Sequence, residues 1–173
     1  VLDGALEHKD SMGTGSVIRP GEIQRMSAGT GVHHSEFNAS DHEEVHFLQI
    51  WIVPEQGGMA PSYEQVKISE ARFGAFVEIA APDPIAGGVK LNADARIFST
   101  VLEVGVETVF ELPAGRNAWL HLAKGRARVV DDEGDPVELE AGDAAAFEGP
   151  ARIEVSGLDG GGAPAELLLF DLP

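Results

Sequence analysis

The chain has 173 residues, 43% of them hydrophobic, which is enough for one large domain or two small ones with their own cores. Its 29 acidic against 12 basic residues give a formal charge of −17, a field that repels phosphate backbones and anionic lipid and argues against direct nucleic-acid or membrane-surface binding. There is no Cys, so disulfides, thiolate nucleophiles and thiolate metal sites are excluded, and any metal must be held by His and carboxylate.

Taken in order, the chain is punctuated by 21 Gly and 10 Pro, with short β-branched or alternating runs between them. That pattern predicts an all-β sandwich or barrel. Gly4 fits a tight hairpin, and His8 follows it facing either solvent or the barrel interior. Gly29-Thr30-Gly31 is a turn that feeds a short strand carrying His33, His34, Ser35 and Glu36. Val45–Val53 (VHFLQIWIV) reads as the strongest strand, apolar on both faces and therefore buried between two layers. Short helix or coil is expected around Ser62–Ala71. The Pro/Gly-rich stretch 81–88 (APDPIAGG) marks a boundary between domains at 1–80 and 89–173. Ala95–Val104, Thr108–Leu112, Trp119–Ala123, Ala127–Asp131, Ala151–Val155 and Glu166–Leu172 read as strands of the second domain. No apolar run reaches bilayer length and no signal-peptide pattern is present, so a cytoplasmic location is expected; the chain opens at Val1 without an initiator Met.

An internal repeat organises these elements. Gly4 and Gly21 are separated by 17 positions, as are Gly125 and Gly142. Glu22 follows the second Gly of the first copy and Asp143 that of the second. Each copy then runs to an apolar strand ending in Pro, Leu48–Pro54 and Leu168–Pro173. Duplication of one β unit accounts for the matching spacing and the matching ends.

Side chains alternate along a strand, so His34 and Glu36 project together while His33 and Ser35 project the other way. An imidazole and a carboxylate so placed can bind one first-row metal. A His in a strand is commonly a hydrogen-bonded structural residue, and spacing alone does not choose between the two roles. Asp131-Asp132-Glu133 and Glu138/Glu140 sit beside Gly134 and Pro136 and read as solvated turns. No Ser has a His/Asp relay in its sequence context, and Gly160-Gly161-Gly162 lacks the Lys of a phosphate loop. His42 lies in an acidic loop, while His46 and His121 lie in apolar runs and read as core or rim residues.

Several strings together carry a resemblance. Val1 through Asp10-Ser11-Met12-Gly13, Arg19-Pro20-Gly21-Glu22, Gln24 to Val32, His34-Ser35-Glu36, Gln49-Ile50-Trp51 and Pro61 to Gln65 resemble the first cupin domain of the pirin family. The remainder is more loosely similar to the family's second cupin lobe. The resemblance implies a bicupin, two double-stranded β-helix lobes with the first incomplete. It also implies one mononuclear metal, usually iron, held by two His of a His-Pro-His segment and by a His and a Glu that map onto His34 and Glu36. The His-Pro-His segment would precede Val1, so Fe(II) or another divalent first-row metal is expected to be weakly bound or absent, with little activity. Counting from Gly142, the positions matching His34 and Glu36 are Val155 and Gly157, and those matching the His pair are Glu111 and Pro113. The second lobe is thus expected to hold no metal. For bacterial members the resemblance implies an iron-dependent dioxygenase of the quercetinase type, with a small aromatic, flavonol-like substrate and Glu36 as metal ligand and base together. The alternative is a regulatory module binding a protein partner. Exposed sheet edges make an edge-paired or strand-exchanged dimer a further expectation.

Overall fold

The computed structural model describes residues 1–85, 87–132, 134 and 136–173; Ala86 of the expected boundary and Glu133 of the acidic turn lie outside them. The chain divides into two compact units, 1–68 with 81–93, and 69–80 with 94–173. The segment 69–80, grouped with the first domain on sequence grounds, therefore packs with the second unit. Both units are built from strands, and a single 3-10 turn, Glu70–Arg72, interrupts them among the described residues. None of these elements is a helix long and apolar enough to cross a membrane.

The first unit contains β1 (Leu6–Asp10), β2 (Gly15–Ile18), β3 (Glu22–Ser27), β4 (His34–Asn38) and β5 (Ser62–Lys67). Strand β1 lies between β2 and β4, antiparallel to both, and β3 pairs with β5. Leu6 and Ile18 form a cross-strand pair, and both are buried. The second unit continues from β6 (Val77–Ala81); β7 (Val89–Lys90) belongs to the first. Then follow β8 (Arg96–Leu102), β9 (Glu107–Leu112), β10 (Asn117–Lys124), β11 (Arg126–Val130), β12 (Val137–Glu140), β13 (Ala144–Glu148), β14 (Ala151–Leu158) and β15 (Ala165–Leu172). They form two sheets, ordered β13-β10-β15-β8-β6 and β12-β11-β14-β9. Alternate residues of both, among them Leu120, Leu122, Val129, Ile153, Val155, Leu167 and Leu169, make one core. The period-2 pattern of β15, with Leu167, Leu169 and Asp171 on the buried side, shows how the alternation is used.

The duplication is visible in detail. Gly4 and Gly125 have φ of 71° and 76°. A Cβ at either would collide with a backbone carbonyl some forty residues on, that of Glu44 in one copy and of Pro164 in the other. Beyond them, the Glu22 N–H donates to the Arg19 carbonyl and the Asp143 N–H to the Glu140 carbonyl. In each turn the acidic side chain reaches back to accept from the same backbone N–H, Arg19 N at 2.7 Å and Glu140 N at 2.9 Å. The β2-β1-β4 sheet repeats as β12-β11-β14. Because Gly125 combines a left-handed φ with a carbonyl in the way, Gly125→Ala should cost about 3 kcal/mol. Gly142→Ala, with a similar φ of 99° but open space around it, should cost only about 1–2 kcal/mol. Urea denaturation of the two variants measures the difference.

Two expectations fail. Val45–Val53 is not a strand: only His46 pairs, in an isolated bridge with Asp3, and Trp51 and Val53 are exposed. Its counterpart β15 is flanked on both sides, by β10 and β8, and an extended apolar run becomes a strand only where neighbours take its backbone N–H and C=O groups. Ser62–Ala71 is not helix or coil throughout, because its first six residues form β5 against β3 and only Glu70–Arg72 turns, capped by the Ser69 hydroxyl. The expected strands from Ala95 to Leu172 are present as β8, β9, β10, β11, β14 and β15.

Candidate metal centre

In the antiparallel pairing of β1 with β4, His8 lies opposite Glu36 and Asp10 opposite His34. Residues directly opposite share a face, and so do alternate residues of one strand. Four polar side chains are thereby gathered on one face of the three-stranded sheet. The His8 and His34 rings have centroids 5.7 Å apart. One donor atom from each of His8, His34 and Glu36 lies within 4.8 Å of the other two. An ion bonded at about 2.1 Å to each donor would space them about 3–4 Å apart, so a small contraction closes the shell.

His34 and Glu36, chosen from sequence, are brought together; His8, left undecided there, joins them at the centre. It is fully buried, while Glu36 is half-buried and His34 exposed. The two nitrogens of His8 have different surroundings. Nε2 faces the Asp10 carboxylate at 3.2 Å. Nδ1 points toward Glu36 Oε1 at 3.8 Å and has no hydrogen-bond partner among the described residues. A buried polar atom without a partner is costly, and a cation at this point would satisfy it. Gln24 Nε2 donates to Glu36 Oε1 at 3.3 Å.

Tyr63 of β5 stacks on His8 at a centroid distance of 4.9 Å. Its hydroxyl donates to Gln65 Oε1 at 2.9 Å and meets Ser16 Oγ at 2.6 Å. Burial pushes the Tyr63 phenol above its ordinary value; the charges of Asp10, Glu22 and Glu36 add to this and the Ser16 hydrogen bond opposes it. Burial also works to raise the Asp10 carboxyl, but donors from Thr14 and Met12 N–H and from His8 outweigh it and hold it below the usual range. An open cleft of about 350 Å³, lined by Lys9, Asp10, Ser11, His33, His34 and Ser35, lies at this end of the β1–β4 pair.

In the second unit the same sheet is apolar. Strands β11 and β12 match β1 and β2 position for position, which sets Val129 at the place of His8. Val129 pairs with Val155, so Val155 stands at the place of Glu36 and Ile153 at that of His34. The sequence count placed Val155 opposite His34 instead; the shift of two arises because the link between β3 and β4, Ala28 to His33, is longer than the Gly149-Pro150 link between β13 and β14. All three are buried hydrophobic residues and offer no donor. The remaining His lie elsewhere: His42 and His46 are exposed and His121 is part of β10. Glu138 and Glu140 lie in strand β12 and not in the expected turn, Glu138 pairing with Arg126 at 3.0 Å, while Asp132 accepts from Arg152 N–H.

Two family models match, pirin over residues 1–52 and the quercetinase C-terminal cupin domain over residues 78–172. A quercetin 2,3-dioxygenase of Escherichia coli (strain K12) is 35% identical over 173 residues, covering 100% of this chain and 70% of the relative. The chain belongs to the pirin family. A pirin-like protein of Caulobacter vibrioides is also 35% identical, over 99% of this chain and 70% of its own length. Among solved structures, the bacterial pirin YhhW from Escherichia coli in complex with nickel(II) superposes with a TM-score of 0.84 at 34% identity, covering 100% of this chain and 70% of that one. The fold is thus all-β and of the cupin type. Of the four donors that the family resemblance implies, this pirin chain carries His34 and Glu36, and its third converging donor, His8, lies outside that motif.

Proposed function

We propose that His8, His34 and Glu36 hold one iron(II) ion and that this pirin is a quercetin 2,3-dioxygenase acting on a flavonol. The observation that carries the reading is the convergence of two imidazoles and one carboxylate on one sheet face, with the buried Nδ1 of His8 unpartnered. Two His and one carboxylate with open positions is the donor set of non-haem iron oxygenases. When bound, the metal supplies Lewis acidity toward a chelating hydroxyl and a place for dioxygen. Glu36 accepts the proton that the flavonol hydroxyl loses, while Gln24 holds its Oε1 in place. His34 lines the open cleft, through which a flavonol ring would reach the site. The first unit, residues 1–68 with 81–93, is the metal-bearing one, and the second carries apolar residues at the matching positions.

The test is to load the chain anaerobically with Fe(II), measure bound iron, and then add quercetin and oxygen. One iron per chain with oxygen uptake and loss of quercetin is the expected result. Three protein donors are available where the sequence alone counted two, which favours retention of the metal. Turnover unchanged by a chelator would sink the metal reading. Stoichiometric iron without turnover would favour a regulatory module instead, for which the net charge of −17 suits a basic protein partner.

A further inference from the structure

We infer that Lys9, Ser11, His33 and Ser35 form a recognition block at the cleft that selects flavonols by the hydroxyl groups on their rings; this rests on the flavonol reading above. Side chains alternate along a strand, so these four stand together on the face of the β1–β4 pair turned away from Glu36. Lys9 lies directly opposite Ser35, and one step beyond the ladder the Ser11 N–H donates to the His33 carbonyl at 2.8 Å. All four line the open cleft of about 350 Å³ together with Asp10 and His34, and that volume suits a ligand of flavonol size. Pockets for flat aromatic molecules are mostly apolar, yet none of these six lining side chains is a large apolar one. Selection at this cleft must therefore come through hydrogen bonds. Lys9 Nζ is held by Glu7 Oε1 at 2.6 Å and keeps two further N–H donors. Ser11 Oγ accepts from the His33 N–H at 3.1 Å and keeps its own proton to donate. The side chains of Ser35 and His33 make no hydrogen bond among the described residues. A hydroxyl both donates and accepts, so a hydroxylated ring satisfies such groups. A bare ring would strip water from them and return nothing.

Two flavonols test this. Quercetin and 3-hydroxyflavone share the chelating hydroxyl, and only quercetin carries further hydroxyls on its rings. Equilibrium dialysis of each against the metal-free chain reads selection without turnover. Quercetin should bind about 10-fold tighter, the effect of one net hydrogen bond. In the double variant Lys9→Met with Ser35→Ala, that ratio should fall to about 2-fold or less, because two of the four contacts are gone. Lys9 is mostly exposed, and methionine keeps much of its stem, so the ladder should survive the change. Equal wild-type affinity for the two flavonols overturns the inference and needs no variant to fold. So does no binding of either, or a ratio unchanged in the double variant. Turnover assays with the iron-loaded chain then separate the two readings. Selective binding without turnover leaves the recognition block standing and removes the dioxygenase reading. Equal binding and equal turnover of both flavonols does the reverse.

Discussion

Glu36→Gln should fold normally and lose metal affinity by about 100-fold or more, with quercetin turnover falling in step. The carboxylate is the only anionic donor in the converging group, and replacing it by a neutral amide leaves two imidazoles to hold a divalent ion. The fold should tolerate the change, because the amide oxygen can still accept from Gln24 Nε2 and the β1–β4 ladder is made by backbone groups. The same substitution removes the proposed base, so activity should not return when the metal concentration is raised to saturate the variant. A loss of affinity alone, with full activity at saturating iron, would assign the proton to another group. His42→Ala, an exposed loop residue, serves as the control and should bind metal as wild type does. Isothermal titration with Fe(II) under anaerobic conditions, followed by oxygen-electrode assays, separates the two effects.

The parts of the site that were legible in the sequence are those governed by local rules. Alternation along one strand placed His34 with Glu36, and the spacing of Gly4, Gly21, Gly125 and Gly142 exposed the duplication, because a left-handed φ beside a crowding carbonyl leaves little choice but Gly. His8 and Asp10 were not legible for a different reason. Their neighbours depend on the register of β1 against β4, a pairing across nearly thirty residues that composition does not encode. The signal available in retrospect was His-x-Asp two positions apart in a strand following a Gly hairpin, with valine at the matching place of the second copy. Val45–Val53 misled because hydrophobicity reports a wish for burial, while strand formation also needs partners for every backbone group. The segment 69–80 clusters with residues 94–173 although it precedes the Pro/Gly-rich stretch, because its ties run to residues far along the chain.

Those ties support a second large effect: Glu166→Ala should destabilise the protein by about 2–3 kcal/mol, somewhat below the 3–5 kcal/mol typical of a fully buried pair because both side chains keep slight exposure. Arg72, in the single 3-10 turn, is buried, and its Nη1 lies 2.7 Å from Glu166 Oε1 and 3.5 Å from Ser99 Oγ. Its guanidinium also sits 5.3 Å from the Phe73 ring centroid. The backbone is fastened nearby, since Thr100 Oγ1 donates to the Arg72 carbonyl and the Gly74 N–H to the Val101 carbonyl. Truncating Glu166 leaves a cation in a site built to be neutral, with one hydroxyl at the limit of hydrogen-bond distance. Arg72→Met removes the charge but keeps most of the packed stem, so combined with Glu166→Ala it should recover a large part of the loss. A double-mutant cycle in urea measures the coupling, which should be at least about 1 kcal/mol for groups in direct contact. Strict additivity would show that the pair does not fasten residues 69–80 to β15, and that the pairing of β6 with β8 holds this segment by itself.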